Sequence, residues 1–357
     1  MAKALNILIA GAGPTGLTAA LELARRGVIA TVIERRKTPS PFSRAVGITT
    51  RSLQLLNPSG VADRLIAEGV TVRKARLYRG ERRLLTIPFQ SETAFFPHIL
   101  ALPQDRTERA LADAFRALGG EVRYDLALES AAPDPEGVNV RLTDGVEARF
   151  DHLIGADGVH SLTRKAAEVA YHGHDLPGKW AIADVDAEDW PHPTAFTATL
   201  GAPGKIAVVV PIGVKRYRVI SNTPDALKAL AMPLEVTNIR RAAAFTISVR
   251  QAGRYSTGRI HLAGDAAHCH SPVGGRGMNL GISDAAELAR RLVEGGLDDY
   301  SPLREKEGRE TIAATERARK LVTAPGPARR ALFTTAASLI DRIGPLKRRI
   351  GRFAVEA

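Results

Sequence analysis

The residues best suited to chemistry sit in glycine-and-acid clusters. The first is Gly11-Ala12-Gly13-Pro14-Thr15-Gly16, which follows the short apolar run Leu5–Ala10 directly. In a GxGxxG turn the first glycine allows a tight bend, the second lets a pyrophosphate approach the backbone, and the third lets a helix pack closely on the strand. The helix N-terminal amides then face the phosphate. Glu34 closes the second apolar run, Ile29–Ile33, eighteen residues after Gly16. A carboxylate there accepts hydrogen bonds from both hydroxyls of an adenosine ribose and repels a 2′-phosphate. Arg35 is grouped with it as a cofactor contact. The glycines alone also suit a tight turn in an unrelated α/β protein; strand, helix, second strand and acidic terminus in register argue for a dinucleotide.

Two later clusters repeat the theme. Arg149-Phe150-Asp151-His152-Leu153-Ile154 reads as a strand ending in Gly155-Ala156-Asp157-Gly158, and Arg259–Ala263 as a strand ending in Gly264-Asp265-Ala266-Ala267-His268. The second continues through Ser271-Pro272-Val273-Gly274-Gly275-Arg276-Gly277-Met278-Asn279 into an apolar-periodic helix from about residue 280 to 292. Both strands stop at an acid beside glycine. Ordinary Asp-Gly turns are the plainer account of either one alone.

The elements needed to hold these clusters are legible around them. Leu17–Arg26 has helix formers with apolar residues at Leu17, Ala20, Leu21 and Ala24 and stops at Gly27, completing a β-α-β unit. Residues 72–100 and roughly 178–250 contain strand-like runs and no long helical pattern. Within them Lys205–Pro211 and Tyr217–Ile220, joined through Gly213, read as a hairpin. The expected fold class is α/β: a Rossmann-like dinucleotide-binding domain with a smaller β-sheet substrate domain. The first takes residues 1–71, 101–176 and 258–357, with C-terminal helices; the second takes 72–100 and 177–257.

The ordered set GAGPTG, GADG and GDAAH…PVGGRGMN resembles the class A flavoprotein monooxygenases, the family of p-hydroxybenzoate hydroxylase, over nearly the whole chain. The resemblance implies FAD in a glutathione-reductase-type domain, with NADPH or NADH as cosubstrate. It places Asp265 on the ribityl hydroxyls, and Gly274, Gly275 and Gly277 with Met278 and Asn279 at the flavin pyrimidine edge. There, backbone N–H groups and a helix N-terminus favour the reduced anion. Pro272 stands beside the flavin ring and lines the substrate cavity, and Asp157 is linked to both nucleotides. Ser43-Arg44-Ala45-Val46-Gly47-Ile48 resembles the family's SRxxGI segment, giving Arg44 the pyrophosphate. Leu102-Pro103-Gln104-Asp105-Arg106-Thr107 resembles the segment with a glutamine at the flavin, giving Gln104. A surface salt bridge and a capping glutamine are the alternatives for these two.

The activity implied is hydroxylation of an aromatic or polycyclic small molecule by NAD(P)H and O2 through a flavin C4a-hydroperoxide, with no certain catalytic side chain because the flavin carries the chemistry. The same fold also serves flavin dehydrogenases or reductases, and oxygenases giving epoxidation, oxidative decarboxylation or Baeyer–Villiger insertion. His268 and His270 are candidates for moving protons or for local structure. One departure bears on the substrate. p-Hydroxybenzoate hydroxylases hold the substrate carboxylate with an arginine on a strand matching about Val209–Ile212, and here that strand is apolar, which points to a larger or less charged ring. Arg216 and Arg218 lie nearby, alternate with Tyr217, and equally suit solvent. About 76 residues follow Gly281, so the thioredoxin-like domain of phenol-hydroxylase relatives is not expected.

Composition narrows the rest. With 45% apolar and 25% charged residues, the chain reads as an ordinary globular protein. It shows neither a signal-peptide pattern nor a membrane-length apolar run, so a cytoplasmic location is expected. Cys269, the single cysteine, excludes an intrachain disulfide, and His268-Cys269-His270 lacks a fourth ligand at zinc-like spacing, so no metal is expected. The net charge of +12 would suit nucleic acid, but the basic residues are scattered and no RNA-binding or zinc-finger signature occurs. Nine basic residues between Arg319 and Arg352 meet only Asp341. That stretch suits a solvated helix face, or a basic surface helix pair broken near Gly344-Pro345 that touches a membrane.

Overall fold

The computed structural model describes residues 5–40, 45–323 and 326–356. Arg44 lies outside the described residues.

The strand Ile7–Ala10 is buried at every position because it runs in the middle of a six-stranded sheet. Such two-sided burial is why it reads as a continuous apolar run and does not alternate. The order across the sheet is Ser256–Thr257, Ile260–Leu262, His152–Gly155, Ile7–Ala10, Thr31–Glu34, Val122–Tyr124. All neighbours are parallel except the first pair. Helix Pro14–Ala24 starts with proline in its first turn, where the missing N–H has no intrahelical partner to lose. Its Leu17, Leu21 and Leu23 are at most 1% exposed, each contributing roughly 1.5–3 kcal/mol of burial. The apolar cluster they join also holds Leu111 and Phe115 of helix Gln104–Ala117 and Ile282, Ala285 and Leu288 of helix Gly277–Glu294.

The run 149–154 is not one strand. It divides at Asp151 into Glu147–Phe150, which belongs to a separate three-stranded antiparallel sheet, and His152–Gly155 of the central sheet. Asp151 accepts a hydrogen bond from the Asn6 N–H at 2.8 Å, pinning the crossing point beside the first strand.

A seven-stranded sheet forms the second layer, in the order Glu235–Phe245, Trp180–Glu188, Arg216–Ser221, Ile206–Gly213, Ala195–Leu200, Lys74–Arg79, Arg82–Pro88. The hairpin 206–221 turns through Lys215 at φ +53°. Side chains alternate between faces. Ala183, Val219 and Val209 lie on one face and meet Trp190 and Ala226. On the other face the register places Asp184, Arg218 and Val210 in one row and Ile182, Ile220 and Val208 in the next. This second face looks toward the glycine clusters: Val210 and Ile212 share a cluster with Val46, and Ile220 packs in a cluster that includes Val273.

Helices Pro327–Arg342 and Gly344–Glu356 break at Ile343, beside the Gly344-Pro345 step. The second lies so close to strand Arg82–Pro88 that a Cβ on Gly351 would fall 1.7 Å from the Pro88 carbonyl oxygen. Among the described residues no helix is long and apolar enough to cross a membrane.

Candidate cofactor and substrate site

The first glycine turn is built by contacts that a side chain would destroy. Gly11 has φ +105°, and a Cβ there would sit 2.3 Å from the Ala156 carbonyl oxygen, so this turn and the GADG turn touch through bare backbone. A Cβ on Gly16 would lie 1.9 Å from the Gly11 carbonyl oxygen. Gly13 differs: its φ is −76° and a Cβ there meets nothing within 4 Å. Neither backbone strain nor a protein neighbour explains a glycine at 13.

Glu34 ends its strand buried beneath this turn. Its Oε2 accepts the Ala12 N–H at 3.0 Å, and its Oε1 accepts the Arg36 backbone N–H and Nε at 3.0 Å each. Burial pushes the Glu34 carboxyl up, but the Arg36 side chain and the two backbone donors outweigh it, leaving the pKa below the usual range. Arg35, the neighbour grouped with Glu34, is exposed; Arg36 is the guanidinium turned back onto the carboxylate. Gln104 opens helix Gln104–Ala117, with its Oε1 accepting from the Ala45 N–H at 3.2 Å and its Nε2 donating to Glu108 at 2.9 Å. It thus ties the 45–48 segment to Glu108, which lies 4.0 Å from Arg36 beside Glu34. Burial drives Glu108 up to about 7 against the opposing Gln104 hydrogen bond and Arg36 charge.

Asp157 Oδ2 accepts from the Thr163 N–H at 3.0 Å and hydroxyl at 3.1 Å, whereas its Oδ1 is buried with no partner among the described residues. Asp265 follows strand Ile260–Leu262 in a one-turn helix, exposed at the same sheet edge. Asp284 holds that turn from below. Its Oδ2 accepts the Gly264 N–H at 3.0 Å and lies 2.5 Å from His268 Nε2, while its Oδ1 accepts Arg304 Nε at 2.6 Å. Burial raises Asp284, yet Arg304, His268 and the Gly264 amide bring it down to about 2.

The turn after Pro272 uses two left-handed glycines, Gly274 at φ +95° and Gly275 at +63°, with the Pro272 carbonyl accepting the Gly275 N–H at 3.0 Å. Gly277 begins helix Gly277–Glu294, and Met278 and Asn279 are buried in its first turn. Asn279 fastens this turn to the 47–52 segment. Its Nδ2 donates to the Gly275 and Gly47 carbonyls at 3.0 and 2.9 Å, and its Oδ1 accepts from the Thr49 N–H and the Ser52 hydroxyl at 2.9 and 2.8 Å.

His268, Cys269 and His270 diverge. Cys269 bonds the Tyr171 hydroxyl and the Asp265 carbonyl, and His270 Nδ1 meets the Ser271 carbonyl. Burial holds His270 neutral, with its pKa lowered to about 4.

On the facing sheet, Arg218 does not reach solvent. It is fully buried, donates from Nε and a terminal nitrogen to the two Asp184 carboxylate oxygens at 2.6 and 2.7 Å, and reaches the Ala45 carbonyl at 3.3 Å. Arg216 is the exposed member of the pair. The wall opposite the Pro272 turn is therefore apolar, as the sequence of 209–212 implies, but is crossed by one charge-paired row.

FAD fits this framework on two observations, the clear space in front of Gly13 and the orphaned Asp157 Oδ1. The first admits a pyrophosphate against the backbone, and the second calls for a donor that the described residues do not supply. The FAD binding domain family matches residues 4–314. The chain belongs to this family of flavoprotein monooxygenases. The rifampicin monooxygenase of Streptomyces venezuelae is 34% identical over 90% of this chain and 73% of its own length. The anhydrotetracycline hydroxylase of Streptomyces rimosus, at 29% identity and a TM-score of 0.81, covers 99% of this flavoprotein and 75% of its own chain. The p-nitrophenol 4-monooxygenase of Pseudomonas putida, at 23% identity, shares the fold with a TM-score of 0.89 over 98% of this chain and 96% of its own.

Sequence reasoning missed Arg36, Glu108, Asp184, Asp284 and Arg304. For Asp284 a signal existed: an acid inside the apolar stretch Ile282–Ala286 of a buried helix requires a cation or donors. Arg304 has a local partner in Glu307, but Asp284, which it meets in the interior, lies 20 residues away, and Arg218, the partner of Asp184, lies 34 away.

Proposed function

We propose that this flavoprotein hydroxylates an aromatic or polycyclic small molecule, drawing electrons from NADH or NADPH and one oxygen atom from O2, in the cytoplasm. The observation that carries the reading is the apolar sheet face, Val208, Val210, Ile212 and Ile220, directed at the segments 45–48 and 272–279. The substrates named for the rifampicin and anhydrotetracycline relatives are large fused-ring molecules, in keeping with a wall of that kind. FAD, when bound, supplies the electron transfer and oxygen activation.

The chain's own residues supply binding and orientation. Gly13 and the N-terminal amides of helix Pro14–Ala24 receive the pyrophosphate, Glu34 the adenosine ribose, and Asp265 the ribityl hydroxyls. Asn279 holds Gly275 so that backbone N–H groups and the positive end of helix Gly277–Glu294 face the pyrimidine edge, where they favour added negative charge. The apolar wall excludes water from the reacting centre. Residues 1–71, 101–176 and 258–357 serve the cofactor, and 72–100 and 177–257 the substrate.

The test is a panel of phenols and fused-ring aromatics presented to the purified yellow protein. Substrate-stimulated NAD(P)H and O2 consumption with a product heavier by one oxygen derived from labelled dioxygen is expected. Protein that carries no FAD, or product without the label, overturns the proposal; the latter result marks a dehydrogenase.

A further inference from the structure

A cleft of about 520 Å3 opens between helix Thr50–Leu56, the first turns of helix Gly277–Glu294, helix Tyr300–Val322 and Phe353 of the last helix. We propose that it binds an oxyanion carried on a planar ring, such as an aromatic carboxylate or an adenosine phosphate, at a site distinct from the apolar wall.

Three cations line the cleft, Arg51, Arg276 and Lys306, with Glu307 and Glu310 as the acids. Glu307 is already engaged, pairing with Arg51 at 2.8 Å and with Arg304. It does not serve Arg276. The Arg276 guanidinium makes no hydrogen bond or ion pair among the described residues, although it is half-buried and its burial lowers its pKa. A partly desolvated guanidinium without an acid is costly unless an anion completes it, and its fork suits the two oxygens of a carboxylate or phosphate. The Arg276 guanidinium carbon lies over the Phe353 ring, 5.0 Å from its centroid, a cation–π contact that supplies no counter-anion, and Phe353 is 63% exposed, leaving room for a second ring beside it.

The cleft also touches the flavin frame. Thr49, Ser52 and Asn279 line it, and Asn279 is the residue that ties Gly275 to Gly47. A ligand here presses on the hydrogen bonds that fix the turn at the pyrimidine edge, so occupancy should register in the visible absorbance of bound flavin.

The test titrates the flavin-loaded protein, without NAD(P)H, with salicylate, adenosine 2′-monophosphate and inorganic phosphate, read by calorimetry and flavin difference absorbance. One ring-bearing anion should bind more tightly than phosphate. Arg276→Gln should weaken it about tenfold and Phe353→Ala about threefold. Both variants are compared at equal FAD content and unchanged far-ultraviolet circular dichroism. Salicylate as the stronger ligand assigns the site to aromatic acids, and adenosine 2′-monophosphate assigns it to nucleotides. The proposal falls if neither ring compound binds by about 10 mM, if binding is the same in both variants, or if phosphate binds as well as the ring compounds. Because no turnover is involved, a negative result here leaves the hydroxylase reading untouched, and failure of hydroxylation leaves this one untouched.

Discussion

Asp284 and His268 meet 2.5 Å apart at the base of the turn that presents Asp265, and both are almost fully excluded from solvent. The same carboxylate holds the Gly264 N–H and the buried guanidinium of Arg304, so one side chain joins strand end, turn and two helices. Replacing Asp284 by Asn removes the charge that compensates Arg304. Uncovering a buried ion in this way costs about 3–5 kcal/mol. The expected result is a lower urea midpoint together with FAD affinity weakened by at least tenfold, measured by fluorescence titration of the flavin-free protein. Wild-type FAD affinity in a variant destabilised to that degree would show that the Gly264–Asp265 turn does not depend on Asp284.

Gly13 and Gly16 should separate binding from folding. A Cβ at 13 meets nothing within 4 Å at an ordinary φ, so the flavin-free Gly13→Val variant should melt within about 1 °C of the parent, a stability change of under about 1 kcal/mol. Its branched side chain fills the space a pyrophosphate would take, and FAD should fail to bind. Alanine at 16 puts a methyl 1.9 Å from the Gly11 carbonyl oxygen and should destabilise by about 1–3 kcal/mol even without flavin. Equal FAD retention by Gly13→Val and wild type would remove the pyrophosphate from this loop.

The contrast between these glycines also explains what the sequence makes legible. A parallel βαβ unit is specified locally: apolar run, glycines, helix formers and Glu34 fall within thirty or so residues, and each element forms close to where its pattern lies. The hairpin 206–221 is local in the same sense. Arg218 was ambiguous because alternation says that it shares a face with Val210 and Ile220 but not which face the other layer covers. Asp184 and Ala45, its partners, lie 34 and 173 residues away. The strand break at Asp151 was hidden for a related reason, since Arg149–Ile154 is strand-like throughout and only the contact with Asn6 divides it.

Glu108 makes stability around Glu34 and Arg36 depend on pH. Its folded pKa, about 7, lies above the usual carboxyl value near 4.5, so the proton is bound more tightly in the folded state. The stability this contributes is complete below about pH 4.5 and is lost as pH rises through 7. Glu108→Gln keeps an acceptor for Gln104 without the titration. The variant should therefore gain roughly 2–3 kcal/mol relative to wild type at pH 8 and little at pH 5, read from urea unfolding at the two values. A gain of the same size at both would mean that Glu108 is ionised throughout.

The Arg218–Asp184 pair tests whether a charge in the apolar wall serves folding or placement. Arg218→Met leaves the Asp184 carboxylate, only 13% exposed, without its cation and should cost about 3–5 kcal/mol. Adding Asp184→Leu removes the stranded charge, and stability should return most of the way, because a buried ion pair replaced by packed apolar groups is often neutral. Arg218 also donates to the Ala45 carbonyl, on the segment that Gln104 holds from the other side. Neither methionine nor leucine restores that bond. The double variant should thus unfold near the wild-type urea midpoint yet bind FAD several-fold more weakly, since a lost hydrogen bond to a charged donor is worth about 1.5–3 kcal/mol and only part of it reaches the cofactor. Recovery of both stability and FAD affinity would make the pair a packing element of the sheet alone, with the 45–48 segment held by Gln104 and Asn279.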